Sequence, residues 1–295
     1  MAKGKLAAAL GFFDGVHLGH AALMKKAGEI PGLTAAVVTF DRSPLSALTG
    51  QAVPLINSRE DREYIIRRYF GIDEIIFLTF DSALMNLPWT DFLGGLLVEK
   101  LGAAAFVAGW DYRFGKGGAG NPALLQGYAA EHGLTCEVIG KVELGSVTVS
   151  STYIRGLIAA GDMETAAKYL GHPHILSGKV VPGRQLGRTL GLPTINMLLP
   201  EGVQPPRSGV YAVRCGIDGR EYAGVTNVGR SPTISDSGDI RVETHIIGCA
   251  GDLYGQRAVL EFDSFLRPEM RFSSVDELKA QIFRDRDKVA SLLTI

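Results

Sequence analysis

Gly11-Phe12-Phe13-Asp14-Gly15-Val16-His17-Leu18-Gly19-His20 decides how the rest of the chain is read. It follows the apolar run Leu6-Ala7-Ala8-Ala9-Leu10 and precedes a helical pattern that begins near Ala21. That order predicts a first strand, a tight glycine turn and the first helix of an α/β unit. Gly15 and Gly19 let backbone approach a ligand closely, and the helix start offers free N–H groups to an anion. His17 and His20 are three apart, so one helical turn brings both imidazoles to the same helix end. There they suit a developing phosphate charge, since histidine takes a proton close to neutral pH. By spacing alone, the same residues also describe a turn with two surface histidines.

Working outward, apolar runs at 34–40 and 103–108 predict strands covered on both faces, and 74–78 and 135–139 read as further strands. Helical stretches lie between them: one capped by Asn57 or Ser58 and running through Phe70, one from Asp91 to Leu101, and one that starts at Asn121-Pro122. The alternation predicts an α/β doubly wound parallel sheet, whose ligands bind at the carboxyl ends of the strands, where the His17/His20 turn lies. Gly115, Gly117 and Gly120 match the letters of a dinucleotide-binding glycine motif. That reading is rejected, because Trp110 to Phe114 separate these glycines from their strand and the motif lies late in the domain. Further on, Ser151 and Thr152 stand at a helix start with Arg155 one turn in. Such a set binds the phosphates that leave as pyrophosphate, or serves simply as an N-cap.

The texture changes at Gly171-His172-Pro173, where helical patterning gives way to strands and turns. Ile217-Asp218-Gly219-Arg220 is a two-residue hairpin signal, and Arg257 to Leu266 reads as another strand. Ser274-Val275-Asp276-Glu277 predicts a capping box that opens a last helix with Val275, Leu278, Ile282 and Val289 on one stripe. An antiparallel β-barrel with a terminal helix is the expected architecture. On an extended segment Thr194 and Asn196 face the same side, and their neutral oxygens suit Mg²⁺ beside ATP phosphates, although as a bare pattern the pair reads first as a structural turn. Glu243 and His245 share a strand face, where a glutamate can take the proton of a hydroxyl attacking a γ-phosphate.

Bulk properties bound the answer. At 295 residues two domains are expected, and 46% hydrophobic with 21% charged residues is the composition of an ordinary soluble protein. A net charge of -1 argues against nucleic-acid binding through a broad basic surface. Cys136, Cys215 and Cys249 are far apart, without metal-ligand spacing, and fit a reducing compartment. The apolar run after Lys5 is too short for a signal peptide or a membrane span, so a cytoplasmic protein is expected.

Phe13-Asp14-Gly15-Val16-His17-Leu18-Gly19-His20 resembles the His-x-Gly-His signature of nucleotidyltransferases, in the form found in bacterial FAD synthetases. Gly178 to Asn196 resembles the phosphate loop and P-T-x-N motif of riboflavin kinases, and Val242-Glu243-Thr244-His245 resembles their V-E-x-H segment. Nearly the whole chain is thus similar to the bifunctional riboflavin kinase/FAD synthetase family. The resemblance implies an FMN adenylyltransferase domain over 1–170 and a riboflavin kinase domain over 171–295. It implies riboflavin, FMN and ATP as small-molecule partners, with neither nucleic acid nor membrane involved. In the first domain it assigns catalysis to His17 and His20. Gly11, Phe13, Asp14, Gly15 and Gly19, with Ser151, Thr152 and Arg155, would bind ATP phosphates. Asp111, Arg113 and Phe114 belong to a loop near flavin and ATP. In the second domain it makes Glu243 the base and Thr194 with Asn196 the Mg²⁺ ligands. Gly183, Arg184, Gly187, Gly191, Asn227 and Arg267 would line the ATP and flavin sites. The chain departs from the family pattern at Ser43 and Tyr153, where a His or Gln and an Arg are usual. Rival readings are a riboflavin kinase with weak or absent adenylyltransferase activity, a non-catalytic flavin sensor, and a nicotinamide-dinucleotide dehydrogenase.

Overall fold

Apolar runs buried on both faces and runs that alternate between faces build two different sheets in this chain. The computed structural model describes residues 5–183, 193–230, 240–249 and 251–293. Contacts divide these into two units: residues up to Leu55 with Arg62–Ser151, and Ile56–Asp61 with the residues from Thr152 onward.

The first unit begins β1 (Leu6–Leu10), α1 (Leu18–Gly28), β2 (Thr34–Phe40) and α2 (Pro44–Thr49). Then come α3 (Arg59–Phe70), whose first residues belong to the second unit, β3 (Glu74–Leu78), α4 (Ser82–Met85) and α5 (Trp89–Asp91). A π-helix over Phe92–Lys100, β4 (Ala103–Gly109), α6 (Pro122–Glu131), β5 (Thr135–Ile139) and the short pair β6 (Glu143–Leu144) and β7 (Val147–Thr148) complete it. β1 to β5 form a parallel sheet in the order β3-β2-β1-β4-β5. Every residue of β1 is buried, as expected of a strand covered on both faces. Ala8 and Leu10 of β1 and Phe106 and Ala108 of β4 share a core with Phe92, Leu93 and Leu97 of the π-helix and Leu125 of α6. α1 packs on β1, β2 and β4. The expected helix over 91–101 is therefore present in a wider form, which the adjacent Gly94 and Gly95 make less costly. The strand order reverses between β1 and β4, so the turn after β1 stands at the switch point where such sheets bind ligands.

In the second unit α7 (Ser151–Ala160), which starts in the first, and α8 (Met163–Leu170) lead into β8 (His174–Lys179), β9 (Thr194–Leu198), β10 (Gly209–Ile217) and β11 (Arg220–Arg230). β12 (Ile240–Ile246), β13 (Arg257–Arg267) and α9 (Val275–Leu292) follow. The sheet is antiparallel throughout, in the order β8-β13-β10-β11-β12-β9. Val181, just past one edge strand, donates its N–H to Asn196 O on the other edge at 2.9 Å, which curls the sheet toward a barrel. Asp218 and Gly219 both have positive φ, 51° and 69°, the hairpin turn that Asp-Gly favours. Ser274 Oγ accepts the Glu277 N–H, but the Glu277 carboxylate reaches back to Ser273 N and Oγ, one residue earlier than a capping box requires. Val275 is 62% exposed, which corrects its expected place on the apolar stripe. The buried Asp285 stands on that stripe between Ile282 and Val289.

Candidate active sites

The turn after β1 is built around backbone strain and buried side chains. Gly15 has φ 78°, and two residues with side chains, Phe13 (58°) and Val16 (43°), are also left-handed. Non-glycine residues hold that conformation only where the surroundings fix it. Phe13, Asp14, Val16 and His17 are buried. His17 is the N-cap of α1, and its Nδ1 accepts the His20 N–H at 3.4 Å. In the neutral ring that leaves the proton on Nε2. The two imidazoles stack with centroids 3.6 Å apart and planes 12° from parallel, and Phe13 meets His20 edge-on at 5.0 Å. A Cβ on Gly19 would come within 3.1 Å of the His17 ring, and one on Gly11 within 3.1 Å of the Phe13 ring. A side chain at 19 would press on the stacked His17 ring.

His20 Nδ1 is buried and has no hydrogen-bond partner. Burial first, then His17 and Arg62, push the His20 pKa well below the ordinary histidine value. The free protein therefore carries a neutral His20 near pH 7, a correction to the imidazolium that spacing suggested. Ser151 Oγ donates to Asp14 O at 2.9 Å, so this hydroxyl holds the turn itself. Ser43, at the family's departure point, caps α2 by accepting the Ser46 N–H.

In the loop after β4, Phe114 is buried against Phe92 and Tyr112 and exchanges backbone hydrogen bonds with Gly120. A Cβ on Gly120 would lie 2.5 Å from the Phe114 ring, and one on Gly115 2.6 Å from Trp89. These glycines serve packing. Asp111 and Arg113 are exposed. In the second unit Thr152 Oγ1 accepts from Arg155 Nη2 at 3.2 Å, and Tyr153 packs against Tyr169.

The barrel presents a polar row. Asn227 of β11, Glu243 of β12 and Asn196 of β9 stand opposite one another across three strands. Cross-strand partners share a face, and His245 with Thr194 forms the next row on that face. The opposite face carries the buried Val242, Thr244, Ile246, Ile195 and Met197. Asn196 is 6% exposed and its Oδ1 has no hydrogen-bond partner, the kind of oxygen a cation requires. A Cβ on Gly183 would lie 2.2 Å from the Asn196 amide, so only glycine lets the chain cross there. Arg184, Gly187 and Gly191 lie outside the described residues. Asn227 Nδ2 donates to Glu269 at 3.4 Å. His245 Nδ1 donates to Pro193 O at 3.0 Å, which anchors the entry to β9, and burial chiefly lowers its pKa. Arg267, expected at the ligand, is committed to Asp285 of α9 through contacts of 2.8–3.2 Å.

Comparison with known proteins places the whole chain in a family. The FAD synthetase family matches residues 1–153 and the riboflavin kinase family residues 170–293. The bifunctional riboflavin kinase/FMN adenylyltransferase of Pseudomonas fluorescens is 36% identical over 281 residues, 94% of this chain and 90% of its own. That of Escherichia coli K12 is 37% identical over 282 residues, 94% and 89%. The chain belongs to the bifunctional riboflavin kinase/FMN adenylyltransferase family. A crystal structure from Streptococcus pneumoniae, described as a macrolide-efflux protein, is 30% identical with a TM-score of 0.83 and covers 98% of this chain and 95% of its own. No described helix here is long and apolar enough to cross a membrane.

Sequence reasoning missed three residues that support the sites of this family member. Arg62 is fully buried beneath the turn after β1, Thr39 donates to Phe12 O at 2.9 Å, and Asp285 holds Arg267. Only Asp285 left a local signal, as an acid on the apolar stripe of its helix.

Proposed function

We propose that 171–295 phosphorylates riboflavin with ATP to give FMN and ADP, and that 1–170 transfers AMP from ATP to FMN to give FAD and pyrophosphate. The observation that carries the reading is that each unit presents its own set suited to phosphate: the His17–His20 stack at the start of α1, and the Asn227–Glu243–Asn196 row of the barrel.

In adenylyl transfer an FMN phosphate oxygen forms a bond to the α-phosphorus of ATP as the bond to pyrophosphate breaks. No covalent enzyme intermediate is required, so positioning and charge neutralisation carry the rate. His17 donates from Nε2–H, and the positive end of α1 faces the growing charge. His20, neutral in the free protein, gains a partner for its buried Nδ1 when a phosphate arrives. Ser151, whose hydroxyl meets Asp14 O, would stand beside the leaving pyrophosphate, and the loop bearing Asp111 and Arg113 would border the flavin.

In the kinase, Glu243 takes the proton of riboflavin's terminal hydroxyl as that oxygen attacks the γ-phosphorus. Thr194 and the unpartnered Asn196 oxygen would hold Mg²⁺, which when bound neutralises phosphate charge. Gly183 would border the phosphates, and Asn227 would face the flavin side. We place this chemistry in the cytoplasm, on small molecules alone.

A chromatographic time course with ATP, Mg²⁺ and either riboflavin or FMN tests both activities. FAD from both substrates, with FMN first from riboflavin, is expected. FMN accumulating without FAD would leave only the kinase, and no conversion of either would leave a flavin-binding protein.

A further inference from the structure

Arg62 of α3 is 0% exposed, and a buried guanidinium is costly unless its donors are matched. Its Nη1 donates to Phe12 O at 2.7 Å and to Thr39 Oγ1 at 3.1 Å, and its Nη2 donates to Phe40 O at 2.9 Å. The guanidinium carbon lies 4.5 Å from the Phe12 ring centroid and 5.4 Å from that of Phe77. Leu10 pairs with Val38 in the sheet, so Phe12 and Phe40 mark the carboxyl ends of neighbouring strands. One planar fork thus ties the ends of β1 and β2 together where the strained turn begins. A lysine, with a single ammonium, cannot span two carbonyls in this way.

We propose that Arg62 is a positioning residue for adenylyl transfer: it clamps the Phe12 carbonyl, so that the strained turn holds the His17–His20 stack toward the triphosphate, and it fixes a positive charge beneath that turn. The proposal rests on the adenylyltransferase reading of this site. The second donor on the same carbonyl, Thr39, gives the clamp a separable part. His20 senses the clamp directly, because His17 and Arg62 are the charged neighbours that act on it, with the buried Asp14 in the same turn.

The test uses the full chain with FMN, ATP and Mg²⁺, comparing wild type with Arg62→Met, Arg62→Lys and Thr39→Val. Arg62→Met lowers kcat for FAD formation on the order of 100-fold, the scale of a misplaced reacting group, with KM for FMN near wild type. Arg62→Lys restores part of that loss because the charge returns without the second carbonyl contact. Thr39→Val loses about tenfold, the equivalent of one hydrogen bond. Riboflavin phosphorylation in the same preparations stays at the wild-type level. The His20 ring resonances titrate at higher pH in Arg62→Met than in Arg62→Lys. Variants that make FAD as fast as wild type overturn the proposal, as does a loss of FAD shared equally by FMN formation and accompanied by a fallen Tm. A wild-type chain that makes no FAD overturns the adenylyltransferase reading and this proposal with it.

Discussion

His17 and His20 stack as a pair, yet the fold gives them different work. His17 is buried, held by a backbone contact, and keeps a donor on Nε2, whereas His20 is half-buried and neutral, with a buried Nδ1 that has no partner among the described residues. Removing a preorganised group that meets developing phosphate charge costs about 10²–10³ in kcat. His20→Ala is therefore expected to lower FAD formation from FMN by that factor and to leave FMN formation from riboflavin intact. Glu243→Gln is expected to do the reverse, lowering kinase turnover by about 10²–10⁴, the span of general base catalysis. Assaying both products in each variant is decisive: two variants that each lose both activities equally, while folded, would end the division of labour between the units. These candidate residues were legible because His-x-Gly-His and V-E-x-H are short motifs with their chemistry on the page. Arg62 was not, since Arg59-Glu60-Asp61-Arg62-Glu63 reads as a solvated helix start. Its burial comes from the pairing of β1 with β2, which no local pattern encodes.

Among the elements, the strands were the most readable. β2, β3 and β5 have the bounds that their sequence runs gave, although β3 and β5, at the two edges of the sheet, are only half-buried. The order of the strands, and the Val181–Asn196 bridge between the barrel's edges, are non-local and left no trace in any one segment. The last helix shows a subtler failure. Its stripe was read from apolar residues alone, so Val275 was placed inward and Asp285 passed over. Arg267 and Asp285 form a bidentate pair with side chains 16% and 6% exposed. Removing one partner from a pair this deep leaves an uncompensated charge and costs about 3 kcal/mol. Asp285→Ala should lower the urea midpoint of the second unit accordingly, and adding Arg267→Met should recover much of the loss. A variant of Asp285 with unchanged stability and a raised KM for riboflavin would instead return Arg267 to the ligand role that the family resemblance implied.

At the scale of the whole molecule, three described histidines are held from protonation in the folded state, and each weakens it in acid. His20 lies in the first unit, His174 and His245 in the second. His174 is the extreme case: it is 0% exposed, neither ring nitrogen has a partner, and burial, with a smaller contribution from His172, brings its pKa down to about 3. A histidine whose folded pKa lies below its unfolded value of about 6.5 takes its proton more readily when the chain unfolds. The stability it leaves intact above pH 6.5 is lost as pH falls through the window from about 6.5 to about 3. For His174 alone the loss at pH 5 is about 2 kcal/mol, one and a half pH units at about 1.4 kcal/mol each. Asp61 acts in the opposite sense. Burial raises its pKa despite its hydrogen bond with Ser177, so it favours the folded state increasingly as pH falls toward the ordinary carboxylate range. The three shifted histidines act against it. Urea unfolding of the second unit between pH 7.5 and 4.5 should therefore show steeply falling stability. His174→Phe, which meets Phe262 in the same apolar setting, should flatten that slope by up to one proton's worth whatever it does to stability at pH 7.5. An unchanged slope would mean that His174 titrates in the folded protein close to its unfolded value, with water or a partner reaching its ring.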